Sequence, residues 1–226
     1  MRRLSPYLTR ALLRTRLSAN GVTWLMLPAG LGAAALISLR GVGFALCAVL
    51  LIQVQVLLDC SDGEVARWRQ QFDARGIYVD RLAHYVTETA FPVALGVRAD
   101  GGWDAIGGWT TLGLVVAVLV LLIRTESALV TVARAETGRR LARDTAAVAA
   151  PRGPLLRRAR AALSVVPFFR AFVATEASLL ALAASVVDGA RGDLGGSHVL
   201  LAALLPVAAI TAAGHLLAIL TSSRLR

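Results

Sequence analysis

Lysine is absent from these 226 residues, and histidine, cysteine and acidic side chains are scarce. All 24 basic residues are arginine, set against 14 acidic ones, which leaves a formal net charge of +10. We read the missing lysine mainly as compositional bias of the source genome. The positive balance suits anionic lipid headgroups or phosphate-bearing substrates. It does not point to nucleic acid, because no soluble stretch is long enough to hold a groove-binding module. Only two cysteines occur, Cys47 and Cys60. On one helix they would stand about 20 Å apart, far beyond disulfide reach. Strict apolar–polar alternation is also lacking, which argues against a membrane β-barrel. The first residues hold arginines but no short apolar core followed by a cleavage site, so insertion is expected to use the first spanning helix.

What is abundant is continuous apolar sequence. The chain is 57% hydrophobic with a mean hydropathy of +0.67. Several runs reach the roughly 20 residues that a helix needs to cross a bilayer, where backbone groups must be satisfied within the helix. The fold class expected is therefore an all-α integral membrane protein with six transmembrane helices. Residues 1–19, basic and mildly amphipathic, are expected to form an N-terminal cytoplasmic interfacial helix, and residues 20–226 a six-helix catalytic domain. Spans are expected at about 20–39, from 42 onward, 76–97, 106–132, 167–187 and 198–220. Residues 133–162 form a long basic loop. Its arginines have a topogenic and lipid-contacting reading, and a second reading in which Arg134, Arg152, Arg157 or Arg158 holds an anionic acceptor.

Six spans place both termini, the basic loop and the arginine-rich first residues on one side. The other side holds only Arg40, Arg98 and Arg191. The positive-inside rule makes the arginine-rich side cytoplasmic, so the expected location is the cell (inner) membrane, multi-pass. Trp24 and Trp68 near one interface, with Trp103 and Trp109 near the other, agree with interfacial aromatic placement.

Against this apolar background, charge is informative. Asp59, Asp62, Gly63, Ala66 and Arg67 are followed after eight residues by Gly76, after three more by Asp80, and after three more by His84. Ionisable groups at membrane depth mark functional sites by default. Asp59 and Asp62 are three apart, and Gly76, Asp80 and His84 are spaced by four, so each set shares a helix face. A short antiparallel connection would make the faces converge. Clustered carboxylates call for a cation, and Mg²⁺ is typically shared with substrate phosphates. Gly63 and Ala66 thin the pocket wall, and Arg67 offers a planar fork of donors to phosphate. The residues thus read as a metal-dependent phosphate site facing the cytoplasm.

This arrangement closely resembles the signature of the CDP-alcohol phosphotransferase (phosphatidyltransferase) family, D-x2-D-G-x2-A-R-x8-G-x3-D-x3-D. Seven of its eight specified positions match. Residues 18–23, with Asn20 and Thr23, look like the family's P-N-x-x-T segment with alanine in the proline's place. The resemblance implies a CDP-linked donor, CDP-diacylglycerol or another CDP-alcohol. An acceptor hydroxyl attacks its β-phosphate and CMP leaves, as in phospholipid biosynthesis. It implies Asp59, Asp62 and Asp80 as ligands of Mg²⁺ or Mn²⁺, two ions in all, and Gly63, Ala66, Arg67 and Gly76 as the donor pocket. It also implies contact with membrane lipids and a homodimer.

The departure is His84, which stands where the family has its fourth aspartate. That aspartate is taken to ligate metal and to act as general base. Imidazole can serve as a base but suits Mn²⁺ or Zn²⁺ better than Mg²⁺. Three readings stay open: a histidine base, an altered metal site, or a catalytically impaired CDP-lipid-binding or scaffold paralogue. Glu88, four residues beyond, either orients the imidazole or is a buried helix contact. Arg124, Glu126 and Glu176 are read as cavity-lining or interhelical pairing groups, His215 as a packed, hydrogen-bonded histidine, and His198 as interfacial.

Overall fold

The computed structural model describes residues 3–138 and 174–221. Among the described residues all regular structure is helical. The helices are α1 (Ser5–Leu13), α2 (Ala19–Ser38), α3 (Val42–Arg69), α4 (Ala74–Ala99), α5 (Gly108–Glu136), α6 (Ala174–Arg191) and α7 (Gly195–Leu220), with a 3-10 turn at Trp103–Ala105. The six longer helices coincide in order with the expected spans. Four of them, α2, α3, α5 and α7, are long and apolar enough to cross a membrane. α4 matches them in length but carries Asp80, Arg81, His84 and Glu88 along its first half. Residues 139–162 of the expected basic loop, and 167–173 of the expected fifth span, lie outside the described residues. Arg134 falls on α5 instead.

Local chemistry explains where the helices begin and turn. Ser18 caps α2 by accepting a hydrogen bond from the Gly21 amide (3.1 Å). The turn into α3 is made by Gly41 at φ +122°, a backbone region that L side chains avoid. α3 ends on Gln70 in the left-handed conformation, with the Gln71 amide donating back to the Ala66 carbonyl at 2.9 Å. Only residues 70–73 then separate α3 from α4, so the two run antiparallel. Asp73 caps α4 by accepting from the Gly76 amide (2.6 Å).

α2 packs along both α3 and α4. The main apolar core includes Ile37, Ile52, Phe91, Leu95, Val116 and Leu201, from five helices. A smaller cluster of Leu12, Val22, Met26, Leu58, Val65 and Ala83 ties α1, α2, α3 and α4 together beneath the motif. Close approach depends on Gly30, where an added Cβ would sit 2.3 Å from Thr87 Cγ2 and 2.8 Å from Gln55 Oε1. Small residues let membrane helices approach this closely. The same crossing carries a buried hydrogen bond from Gln55 Nε2 to Thr87 Oγ1 at 3.0 Å.

The end of the bundle remote from the motif is closed by Arg98, only 1% exposed. Its guanidinium donates to the Leu39 carbonyl (2.6 Å) and to Ser197 Oγ (3.0 Å), and lies 3.4 Å from Asp188 Oδ2. A residue counted in the sequence as loop-side charge thus pins the α2–α3 turn to α4, α6 and α7. Nearby, His198 stacks on Trp109 at 4.3 Å and its Nε2 lies 2.8 Å from the Ala99 carbonyl. Asp100 accepts hydrogen bonds from the amides of Gly107, Trp109 and Thr110 and from the Thr110 hydroxyl, capping α5 from across the loop.

α1 is shorter than the expected 1–19 helix, and its inward face is unusual. Ser5, Thr9 and Leu12 are buried, whereas Tyr7 is 77% exposed. The two hydroxyls each donate to the Glu64 carboxylate, at 2.6 Å. A second clamp comes from Arg69, whose guanidinium donates to the carbonyls of Leu17 and Thr15. α1 is therefore fastened to the motif-bearing end of α3 by polar contacts as much as by apolar ones.

Candidate active site

The motif halves lie where α3 ends and α4 begins, and the hairpin brings them together. His84 Nε2 lies 3.0 Å from Asp59 Oδ1 and 3.6 Å from Asp80 Oδ1. One ligating atom from each of Asp59, Asp80 and His84 falls within 4.8 Å of the others. All three side chains are partly exposed, so the cluster is open to a ligand. Two carboxylates on one helix pair and an imidazole on the next turn form a donor set that suits a divalent cation.

Asp62 takes a different direction. Its Oδ2 accepts from the buried Thr23 hydroxyl of α2 at 2.7 Å, and its Oδ1 from the Gly63 amide. Three residues turn a helix by about 300°, which leaves Asp59 and Asp62 about 60° apart. That difference is enough to aim Asp59 at α4 and Asp62 at α2. The expected shared face is therefore split between two neighbours, with Asp62 beside the three-residue cluster rather than in it.

The remaining motif positions line the same end. Arg67 is exposed, and an added Cβ at Gly63 would come 3.3 Å from its guanidinium. Ala66, one turn before the end of α3, is partly exposed. At Gly76 an added Cβ would meet Asn20 Oδ1 at 2.8 Å. Asn20 Nδ2 in turn lies 3.4 Å from both Asp73 oxygens. Thus Asn20 and Thr23 of the 18–23 segment reach the two halves of the motif separately, one at the head of α4 and one at Asp62.

Three further acidic groups find partners. Glu88, whose side chain is 6% exposed, is held by a bidentate pair with Arg124 of α5 and has Oε1 3.8 Å from His84 Nδ1. Glu126 pairs with His215 Nδ1 at 2.6 Å, joining α5 to α7. The expectation of interhelical pairing holds for Arg124 and Glu126, and His215 is hydrogen-bonded within the bundle. Glu64 is the third, accepting from the Ser5 and Thr9 hydroxyls. Its signal was present, a carboxylate in an apolar helix inside the motif, but its partners lie 55 and 59 residues away.

An apolar groove of about 480 Å³ runs between α2, α4 and α5, lined by Leu31, Val86, Ala90, Val93, Trp103 and Leu121 among others. Its lining includes none of Asp59, Asp80 and His84. The polar cluster and the groove are separate features.

A family model for CDP-alcohol phosphatidyltransferases matches residues 16–188, which include every motif position. The chain belongs to that family. No individual curated protein matches it. Members of this CDP-alcohol phosphatidyltransferase family are membrane transferases that act on CDP-alcohols with alcohol acceptors and typically use a divalent metal. The Asp59–Asp80–His84 group fits such an ion in charge and in donor chemistry. Its departure from an all-oxygen set is the nitrogen of His84.

Proposed function

We infer that this protein transfers a substituted phosphate, phosphatidyl or similar, from a CDP-linked donor to a hydroxyl acceptor, releasing CMP in phospholipid biosynthesis. The observation that carries the reading is the convergence of Asp59, Asp80 and His84 on one open site beside the Thr23-bound Asp62. In this reading six helices span the cell membrane and α1 lies at the interface. The arginine-rich end faces the cytoplasm, and Trp24 and Trp68, 51% and 76% exposed, mark that boundary.

Asp59 and Asp80 would hold a divalent ion, Mg²⁺ or Mn²⁺, and Asp62 would be the carboxylate available to a second. When bound, the ions neutralise charge on the attacking and leaving oxygens of an in-line displacement. Gly63, Ala66, Arg67 and Gly76 shape the donor pocket, with the Arg67 guanidinium on phosphate. His84 takes the proton of the acceptor hydroxyl. The acceptor oxygen forms its bond to the β-phosphorus as the bond to the CMP oxygen breaks. The proton resides on the imidazole until solvent removes it. No covalent enzyme intermediate is needed, since direct attack by the acceptor accounts for the bond changes.

The test is CMP release by the purified full-length protein, given CDP-diacylglycerol, Mg²⁺ or Mn²⁺ and a panel of acceptors: glycerol phosphate, serine and inositol phosphate. CMP formed in step with a phosphodiester product is expected. His84→Ala should lose turnover more than donor binding, and Asp62→Asn should lose both. Nucleotide binding without CMP from any pair would overturn the transferase reading in favour of a CDP-lipid-binding paralogue.

A further inference from the structure

Leu12 is the one buried apolar side chain of α1, so apolar burial alone fastens this helix weakly. Its other inward groups, the Ser5 and Thr9 hydroxyls, donate to Glu64 at 2.6 Å each. Arg69 donates to the Thr15 and Leu17 carbonyls just beyond the helix. Glu64 and Arg69 flank Ala66 and Arg67 at the motif-bearing end of α3. Outward, the segment shows Leu4, Tyr7, Arg3, Arg10 and Arg14, all exposed. No ion pair engages these three arginines among the described residues. The first 17 residues hold five arginines and no acidic residue. Glu64 stands 22 residues along α3 from Val42, about 33 Å at 1.5 Å per residue. That is close to the thickness of a bilayer's hydrocarbon core, so with Val42 at the far boundary α1 is fastened at headgroup depth.

We propose that α1 is a strap held shut by anionic lipid. Its exposed arginine face binds the headgroups of an anionic bilayer, and that contact keeps Ser5 and Thr9 on Glu64 and steadies the donor-pocket end of α3. The charges are complementary: basic segments at an anionic leaflet gain affinity with each arginine, within a Debye length of the surface. Leu4 and Tyr7 suit the same boundary, where an apolar body meets water. A helix confined to the surface plane meets its dock at high effective concentration, whereas one released into solvent does not. Bilayer charge therefore regulates the site through α1. The consequence for donor binding rests on the transfer reading above; the lipid contact rests only on α1 lying at the membrane surface.

The strap is tested without turnover, by amide hydrogen exchange on the full-length protein. The nanodiscs are phosphatidylcholine alone or an equal mixture with phosphatidylglycerol. The amides of α1 are expected to exchange at least about tenfold more slowly in the anionic discs, at about fivefold for each arginine engaged. Arg10→Gln combined with Arg14→Gln lowers that difference by about tenfold or more. The amides of residues 64–69 follow α1 in both comparisons. Ser5→Ala with Thr9→Val leaves α1 responsive to lipid but uncouples residues 64–69, and Thr9→Val alone serves if the double variant does not fold. Equal exchange in the two discs, or a difference that the arginine variant keeps, overturns the proposal and leaves the arginine face to a protein partner. A lipid response in α1 with none in residues 64–69 refutes the strap and leaves an ordinary interfacial helix. Where CMP is released, the arginine variant raises the donor KM several-fold in anionic discs, with kcat within about twofold. A KM blind to that variant breaks the link to the donor pocket. The expected exchange pattern without CMP from any acceptor sinks the transfer reading alone.

Discussion

Replacing Thr23 with valine removes one oxygen and keeps the branched shape, so the small core of Val22 and Met26 beside it is undisturbed. The lost contact is the 2.7 Å hydrogen bond to Asp62, made by a side chain that is 4% exposed. Hydrogen bonds to charged groups contribute about 1.5–3 kcal/mol. Asp62 keeps its bond from the Gly63 amide, which places the loss in the lower part of that range, about 1.5–2 kcal/mol. If the loss falls on the reacting complex, kcat/KM for CMP release drops about 10- to 30-fold, because 1.36 kcal/mol is a factor of ten. Thr23→Ser keeps the hydroxyl and is expected to stay near the unsubstituted rate. The assay compares the two variants at matched folded fraction over a range of donor and metal concentration. Thr23→Val within about twofold of the unsubstituted protein would refute the idea that α2 holds Asp62 in working position.

Two other outcomes follow from the opposite end of the bundle. Arg98→Met leaves Asp188 buried without its ionic partner and is expected to cost about 3–5 kcal/mol, read as a lower unfolding midpoint in detergent; adding Asp188→Leu should recover most of the loss. For Asp100, burial raises the carboxyl, but the hydrogen bonds from Thr110, Gly107 and Trp109 outweigh it and hold the group below its ordinary value. A depressed native pKa means the unfolded chain binds the proton more tightly, so this contribution is full above the ordinary carboxylate value of about 3.9. It is lost as pH falls through the lower native value. Unfolding midpoints from about pH 6 down to about pH 2 should therefore fall less steeply for Asp100→Asn than for the unsubstituted protein, and parallel curves would show that Asp100 gives no such support.

Much of the architecture was legible in the residues. The Ser18 cap of α2, the turn at Gly41 and the short connection ending at Asp73 all carry local signals, and α2 and α4 fall within about two residues of their expected bounds. The burial of Arg98 is not readable locally, because its three partners come from residues 39, 188 and 197 and the sequence offers only an arginine near a helix end. The inward face of α1 was also hidden. Ser5 and Thr9 look like solvent-facing hydroxyls until Glu64 is brought beneath them.

What the sequence by itself determined is the membrane-helical habit, the motif and the family. Apolar run length and residue spacing along one helix are local quantities that need no partner to be read. Only the tertiary structure decided which groups meet. It turned Asp59 toward Asp80 and His84, gave Asp62 to Thr23, and set Glu88 between Arg124 and the imidazole. The physical reason is rotation. Asp59 and Asp62 differ by about 60° around α3, and the face each presents is set by where α2 and α4 can pack closely. That depends on Gly30, Gly76 and Ala83 from two other helices, so no spacing within α3 could disclose it.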